Sequence, residues 1–161
     1  MTKLLIAASL AATVLGAFSA SVIAAEPPSR EEYKATVEPI CQQNTLANKR
    51  ILEGARERVN NGRMKQAGAQ FLRASERFRE TVADIEAVPR PSADDARLVK
   101  WFGFLEIVAR NLRKVGKALR EENRVKAIHE RIRVERSSNA ANNVSYVFQF
   151  HYCRITPSRF T

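Results

Sequence analysis

The side chains in this sequence whose type and spacing suggest chemistry are few: two histidines, two cysteines and some paired glutamates. His129-Glu130 supplies the first two positions of the H-E-x-x-H zinc-binding helix, but Arg133 stands where the second histidine must fall. Two histidines cannot build a three-histidine site, and two cysteines cannot build a four-cysteine one. Glu53 and Glu57 lie one helical turn apart, as do Glu76 and Glu80, so each pair offers carboxylate oxygens from one face. Neither pair has the Glu-x-x-His partner of a di-iron bundle, and solvated helix faces are the simpler reading. His151 stands two residues from Cys153, which is nucleophile and base spacing only if that thiol is free. Haem attachment through Cys-x-x-Cys-His is absent, and Met64 with His129 makes a poor axial pair. No G-x-S-x-G, P-loop or dinucleotide glycine pattern appears. The expectation is a protein that is not an enzyme and carries no cofactor.

Anion recognition is the chemistry that the composition does favour. The 161 residues hold 27 Lys and Arg against 17 Asp and Glu, a net charge of +10. Arg110, Arg113, Lys114, Lys117, Arg120, Arg124 and Lys126 cluster, with only Glu121 and Glu122 among them. The first five recur at helical spacing and share one face. Arg131, Arg133 and Arg136 could extend the patch across the next helix. A solvated, dipole-matched surface is the plain alternative. The stripe has no interleaved aromatics for base stacking, which argues against nucleic acid. An anionic envelope polymer, a lipid headgroup or an acidic protein is the expected partner.

Residues 1–24 read as an address. Lys3 is a short positive region, Leu4 to Leu15 is mostly apolar, and small residues such as Ala17, Ser19 and Ala24 follow Gly16. That is the layout of a secretory signal peptide, with cleavage after Ala24 or Ala25. An uncleaved anchor is the other reading, but a run rich in Ala and Ser is a weak span. The folding unit is then 25–161, exported to the periplasm, cell envelope or medium, with no transmembrane span. Its 137 residues carry a net charge of +9, since Lys3 leaves with the first 24. That length is enough for one hydrophobic core.

Heptad-like patterns and few glycines predict helices. Ser29 and Glu32 have capping-box spacing ahead of a first segment reaching Val59, and Pro39 either kinks it or moves its start to about residue 38. Asn60-Asn61-Gly62 reads as a stop. A second segment covers about 63–87, with Phe71 and Phe78 on its apolar face, and Pro89-Arg90-Pro91 ends it. Ser92-Ala93-Asp94-Asp95 then opens a third segment striped with Leu98, Trp101, Phe102, Leu105, Val108, Leu112, Val115 and Leu119. After a break at Glu121-Glu122-Asn123, a fourth carries Val125, Ile128 and Ile132. Its second half, Ser137 to Asn143, is a poor isolated helix that close packing would have to rescue. Beyond it, Val144, Tyr146, Phe148, Phe150 and Tyr152 alternate along an extended tail.

Four such segments predict an all-α, antiparallel up-down-up-down four-helix bundle. That topology brings Cys41 and Cys153 to the same end. An even cysteine count in an exported chain favours a disulfide tying the tail to the first helix, over free thiols or a catalytic one. The alternative to a basic binding face is a bundle that holds a small apolar ligand or cofactor among Phe71, Phe78, Trp101 and Phe102.

The architecture and the ending Phe148-Gln149-Phe150-His151-Tyr152-Cys153 resemble a loose group of small secreted helical proteins from high-GC Gram-positive bacteria. The resemblance covers most of the mature chain and implies export and a helical fold. It supplies no chemistry, and the polar Ser/Asn stretch departs from the alanines usual in that group.

Overall fold

Ser29 starts the first helix as its spacing predicts. In the computed structural model, which describes residues 26–156, the Glu32 amide donates to Ser29 Oγ (3.2 Å) and the Ser29 amide donates to the Glu32 carboxylate (2.7 Å). This reciprocal box caps helix α1, Arg30–Ile51. Pro39 does not delay the start; it sits inside α1. Ala35 and Pro39 are both exposed, so the carbonyl that proline leaves without a donor faces water.

The first segment does not reach Val59 as one helix. It breaks at Leu52 to Gly54, and a short helix α2, Ala55–Asn60, begins after Gly54 at φ +69°. Gln70 supports the break: its amide donates to the carbonyls of Ile51 (2.8 Å), at the end of α1, and Glu53 (3.0 Å), which also accepts from Arg58 Nη1 (2.7 Å). Gly62, at φ +74°, supplies the expected stop after α2.

Helices α3 (Met64–Glu86), α4 (Asp95–Arg120) and α5 (Arg124–Ser145) follow, with 3₁₀ turns at Ser92–Asp94 and Tyr146–Phe148. The fold is thus all-α among the described residues, with four long helices and a short one. None of these helices is long and apolar enough to cross a membrane. Residues 1–24, expected to be a signal peptide, lie outside the described residues, as do residues 157–161.

The α4 stripe is buried along its length, with Leu112 alone half-buried. It packs on α3 on one side and on α5 on the other, and both contacts rely on small residues. A Cβ on Gly68 would lie 2.7 Å from the Gly116 carbonyl oxygen, and one on Gly116 would lie 2.9 Å from the Leu72 amide. The buried face of α5 is not the expected Val125, Ile128 and Ile132. Val125 and Ile128 are exposed, and Ala127, Val134, Ser137, Ser138 and Ala141 face inward instead. Close approach to α4 selects small side chains, and it is this packing that carries α5 unbroken through the polar stretch.

The Ser92–Asp95 opening also departs from a simple cap. Asp94 makes no capping bond; its buried carboxylate accepts from Arg30 Nε (2.8 Å) and Nη2 (2.9 Å), pinning the start of α1 to the α3–α4 connection. After α5 the chain turns back. Phe148 and Phe150 are buried and Tyr146 is exposed, so the alternation holds only for the inward pair. Cys153 forms the disulfide with Cys41, across 112 residues of sequence.

Two stability tests follow from this packing. Replacing both cysteines by alanine should cost roughly 4–5 kcal/mol by the loop-closure argument, read by denaturant unfolding, and the unreduced protein should take up no alkylating agent. Gly116→Ala gains helix propensity but forces backbone apart, so we expect a net loss of about 1–3 kcal/mol; an unchanged melting temperature would refute the close crossing.

Candidate functional site

The basic stripe is real as a surface. Arg110, Arg113, Lys114, Lys117 and Arg120 are all exposed, and on a regular α-helix they fall within one arc, opposite the buried Val108, Val115 and Leu119. None of the five has a carboxylate within ion-pair distance among the described residues. The other two candidates stand apart. Lys126 is paired with Glu121 at 2.9 Å, and Arg124, on the first turn of α5, borders a pocket beside α2. The extension along α5 is also partly neutralised, since Arg131 pairs with Glu135 (2.7 Å) and Arg133 with Glu130 (3.0 Å). Among the paired glutamates, Glu76 and Glu80 bind Arg79 and Arg77, which is the role of a solvated face. His129 and His151 are exposed, and Cys153 is oxidised, so no nucleophile and base pair forms there.

The second structural feature lies inside the fold, where the interior-ligand alternative put it, but between two helices that no spacing related. Helix α1 packs on α3 and α5 packs on α4, but α1 and α5 do not pack closely on each other. The gap between them is a narrow crevice of about 70 Å³. Asn44 and Asn48 of α1 form one wall, Arg131 and Val134 of α5 the other, and the tail from His151 to Thr156 lies at one end. Phe71, Phe78 and Trp101, three of the four aromatics singled out for an interior ligand, line it. Phe102 does not; it packs on Trp101 at 5.4 Å and lies under Arg90. A cavity of about 150 Å³ is what a benzene ring occupies, so the crevice alone has no room for a ring cofactor.

Aromatic rings close the end of the bundle where the tail turns. Phe148 and Phe150 stack at 5.1 Å, Phe150 stacks on Trp101 at 5.1 Å, and Tyr33 meets Phe148 at 6.0 Å. Arg30 lies over the Phe148 ring at 5.5 Å while holding Asp94. Two polar atoms are left without a hydrogen-bond partner in this aromatic layer, Tyr33 Oη and Trp101 Nε1. Burial pushes the Tyr33 phenol well above its ordinary value, against a smaller downward pull from Arg90.

Comparison with known protein families, with curated proteins and with solved structures finds no match for this chain. The reading of both sites therefore rests on their own geometry.

Tyr33 gives an alkaline signature. Its phenol stays neutral in the fold while the unfolded chain ionises near pH 10, so that contribution to stability is present below about pH 10 and falls away as pH rises. Tyr33→Phe should leave neutral-pH stability equal or higher, because it removes an unpartnered buried hydroxyl, and should flatten the alkaline decline. A decline as steep as in the parent protein would place its origin elsewhere.

Proposed function

We propose that the protein is an exported, non-enzymatic helical bundle of antiparallel up-down-up-down topology that uses the α4 face to bind an anionic surface outside the membrane. One observation carries the reading: five exposed cations stand together on one arc of α4, and none of them has a carboxylate within ion-pair distance among the described residues. Gly68, early in α3, against Gly116, late in α4, supports opposite directions for that helix pair. The disulfide supports an oxidising compartment, which accords with a cleaved signal segment at 1–24. The partners that fit are an anionic envelope polymer, a lipid headgroup or an acidic protein, because an exposed row of point charges attracts polyanions without demanding a shape. Among the described residues no cation of the stripe lies over an aromatic ring, which favours these over nucleic acid.

A second reading, an apolar ligand held inside the bundle, is favoured by the crevice lined by Phe71, Phe78 and Trp101. Its volume restricts the occupant to something narrow.

Salt separates a screened charge attraction from other adhesion. Raising ionic strength from about 0.01 to about 1 M shortens the Debye length from roughly 30 to roughly 3 Å, so protein bound to isolated envelope should be released. Combined Arg110→Gln, Lys114→Gln and Lys117→Gln should abolish retention at low salt without changing the fold, because all three side chains are exposed. Retention that ignores both salt and these substitutions would overturn the electrostatic reading.

A further inference from the structure

Away from the tail, the gap between the α1–α2 side and α5 widens into an apolar pocket of about 250 Å³. Phe71, Val115 and Leu119 form its floor, and Val59 of α2 faces Ile128 of α5 across it. Phe71, Val115 and Arg131 also line the interior crevice, so the two spaces share a wall. Around the wider space stand three arginines, Arg56, Arg124 and Arg131, and neither space has an Asp or Glu in its lining. Arg131 shares its charge with Glu135, but Arg56 and Arg124 have no carboxylate partner among the described residues.

The wider space sets three arginines around an apolar floor, and the narrower one is mainly apolar with Asn44, Asn48, Arg131 and Arg154 on its walls; this profile suits an anionic head at the wide end and a thin apolar chain beyond it. We propose that the groove binds a single-chain anionic amphiphile, an alkyl carboxylate. Its head lies among Arg56, Arg124 and Arg131, and its chain runs over Phe71 and Val115 toward Phe78 and Trp101. The proposal rests on the interior-ligand reading and deepens it by naming the ligand class. Guanidinium groups stay charged at any physiological pH and match a carboxylate with two parallel hydrogen bonds. A single chain fits where a ring does not, and each methylene withdrawn from water strengthens binding by about fourfold. Ile128 is 46% exposed on the rim, an apolar surface that such a chain would cover.

Trp101 is the chain's single tryptophan and lines the crevice, so its fluorescence reports occupancy directly. Dodecanoate, titrated below its micelle concentration and followed by Trp101 emission and calorimetry, should bind saturably at one site, with affinity rising from octanoate to dodecanoate. Dodecyltrimethylammonium should not bind. Arg56→Gln and Arg124→Gln together should weaken dodecanoate by about tenfold or more, the loss expected when charged hydrogen bonds are removed. Ile128→Glu, at an exposed position that leaves the core intact, should abolish binding while circular dichroism stays unchanged. Arg113→Gln with Lys117→Gln, on the α4 face, should leave it unaltered. Dodecanol binding as tightly as dodecanoate would overturn the arginine headgroup site while leaving an apolar interior ligand in place. Failure of every chain to bind would overturn both. Capture by anionic vesicles with no binding of monomeric dodecanoate would also overturn the groove, and would credit the α4 face instead.

Discussion

The helices form a row, α1 on α3, α3 on α4, α4 on α5, and the two outer members do not pack closely on each other. The tail after α5 crosses that gap and holds it. Glu38 of α1 accepts hydrogen bonds from the His151 and Tyr152 amides, and Cys41 holds Cys153 through the disulfide. On the other rim, Asn142 of α5 both accepts from the Ile155 amide (2.9 Å) and donates to the Ile155 carbonyl (2.8 Å). A covalent bond and four hydrogen bonds thus do for α1 and α5 what side-chain interdigitation does for the other pairs. The constraint is local to one end. Further along, beside α2, nothing draws the rims together, and the groove opens there.

Close packing inside the row has the opposite character. Gly68 and Gly116 let α3 and α4 meet at backbone distance, and Ser138 and Ala141 on α5 are fully buried. Small side chains contribute little apolar area, so these contacts derive their strength from proximity and dispersion rather than from large buried surfaces. The large side chains collect at the tail end, where Tyr33, Trp101, Phe148 and Phe150 share one aromatic layer. One consequence is a bundle with a tight middle, a stapled end and an open flank. Its two candidate binding surfaces are both by-products of that distribution. The α4 stripe is what remains outside once α4 is flanked by α3 and α5, and the groove is what remains where α1 and α5 stay apart.

Charge follows the same division. Acidic residues sit where they hold structure: Asp94 between Arg30 and Arg97, Glu32 in its cap, Glu38 under the tail. Ser29 holds the Glu32 carboxyl below its ordinary value, chiefly through the backbone hydrogen bond. The five cations of the α4 stripe, with Arg56 and Arg124 beside the groove, are exposed and have no carboxylate partner among the described residues.

Much of this was legible in the residues themselves. Periodicity located α3 and α4 and the α4 core stripe, because one wide apolar face leaves a strong 3.6-residue signal. Ser29 with Glu32 marked the first cap, and an even cysteine count in a chain read as exported marked the disulfide. The α4 cations were visible for the same reason as the core: one helix alone determines which of its residues share a face. What the sequence could not supply were properties of pairs of elements. The inward face of α5 is small and polar, and only the approach of α4 makes it a buried face. Gln70, sixteen residues beyond Gly54, supports the break after Ile51 by reaching the Ile51 and Glu53 carbonyls. Arg124 and Arg131 stand two turns apart on α5, but Arg56 belongs to α2, so no spacing rule joins it to them. Local chemistry is written in the order of residues, whereas a gap between α1 and α5 exists only once their neighbours have fixed how far apart they stand.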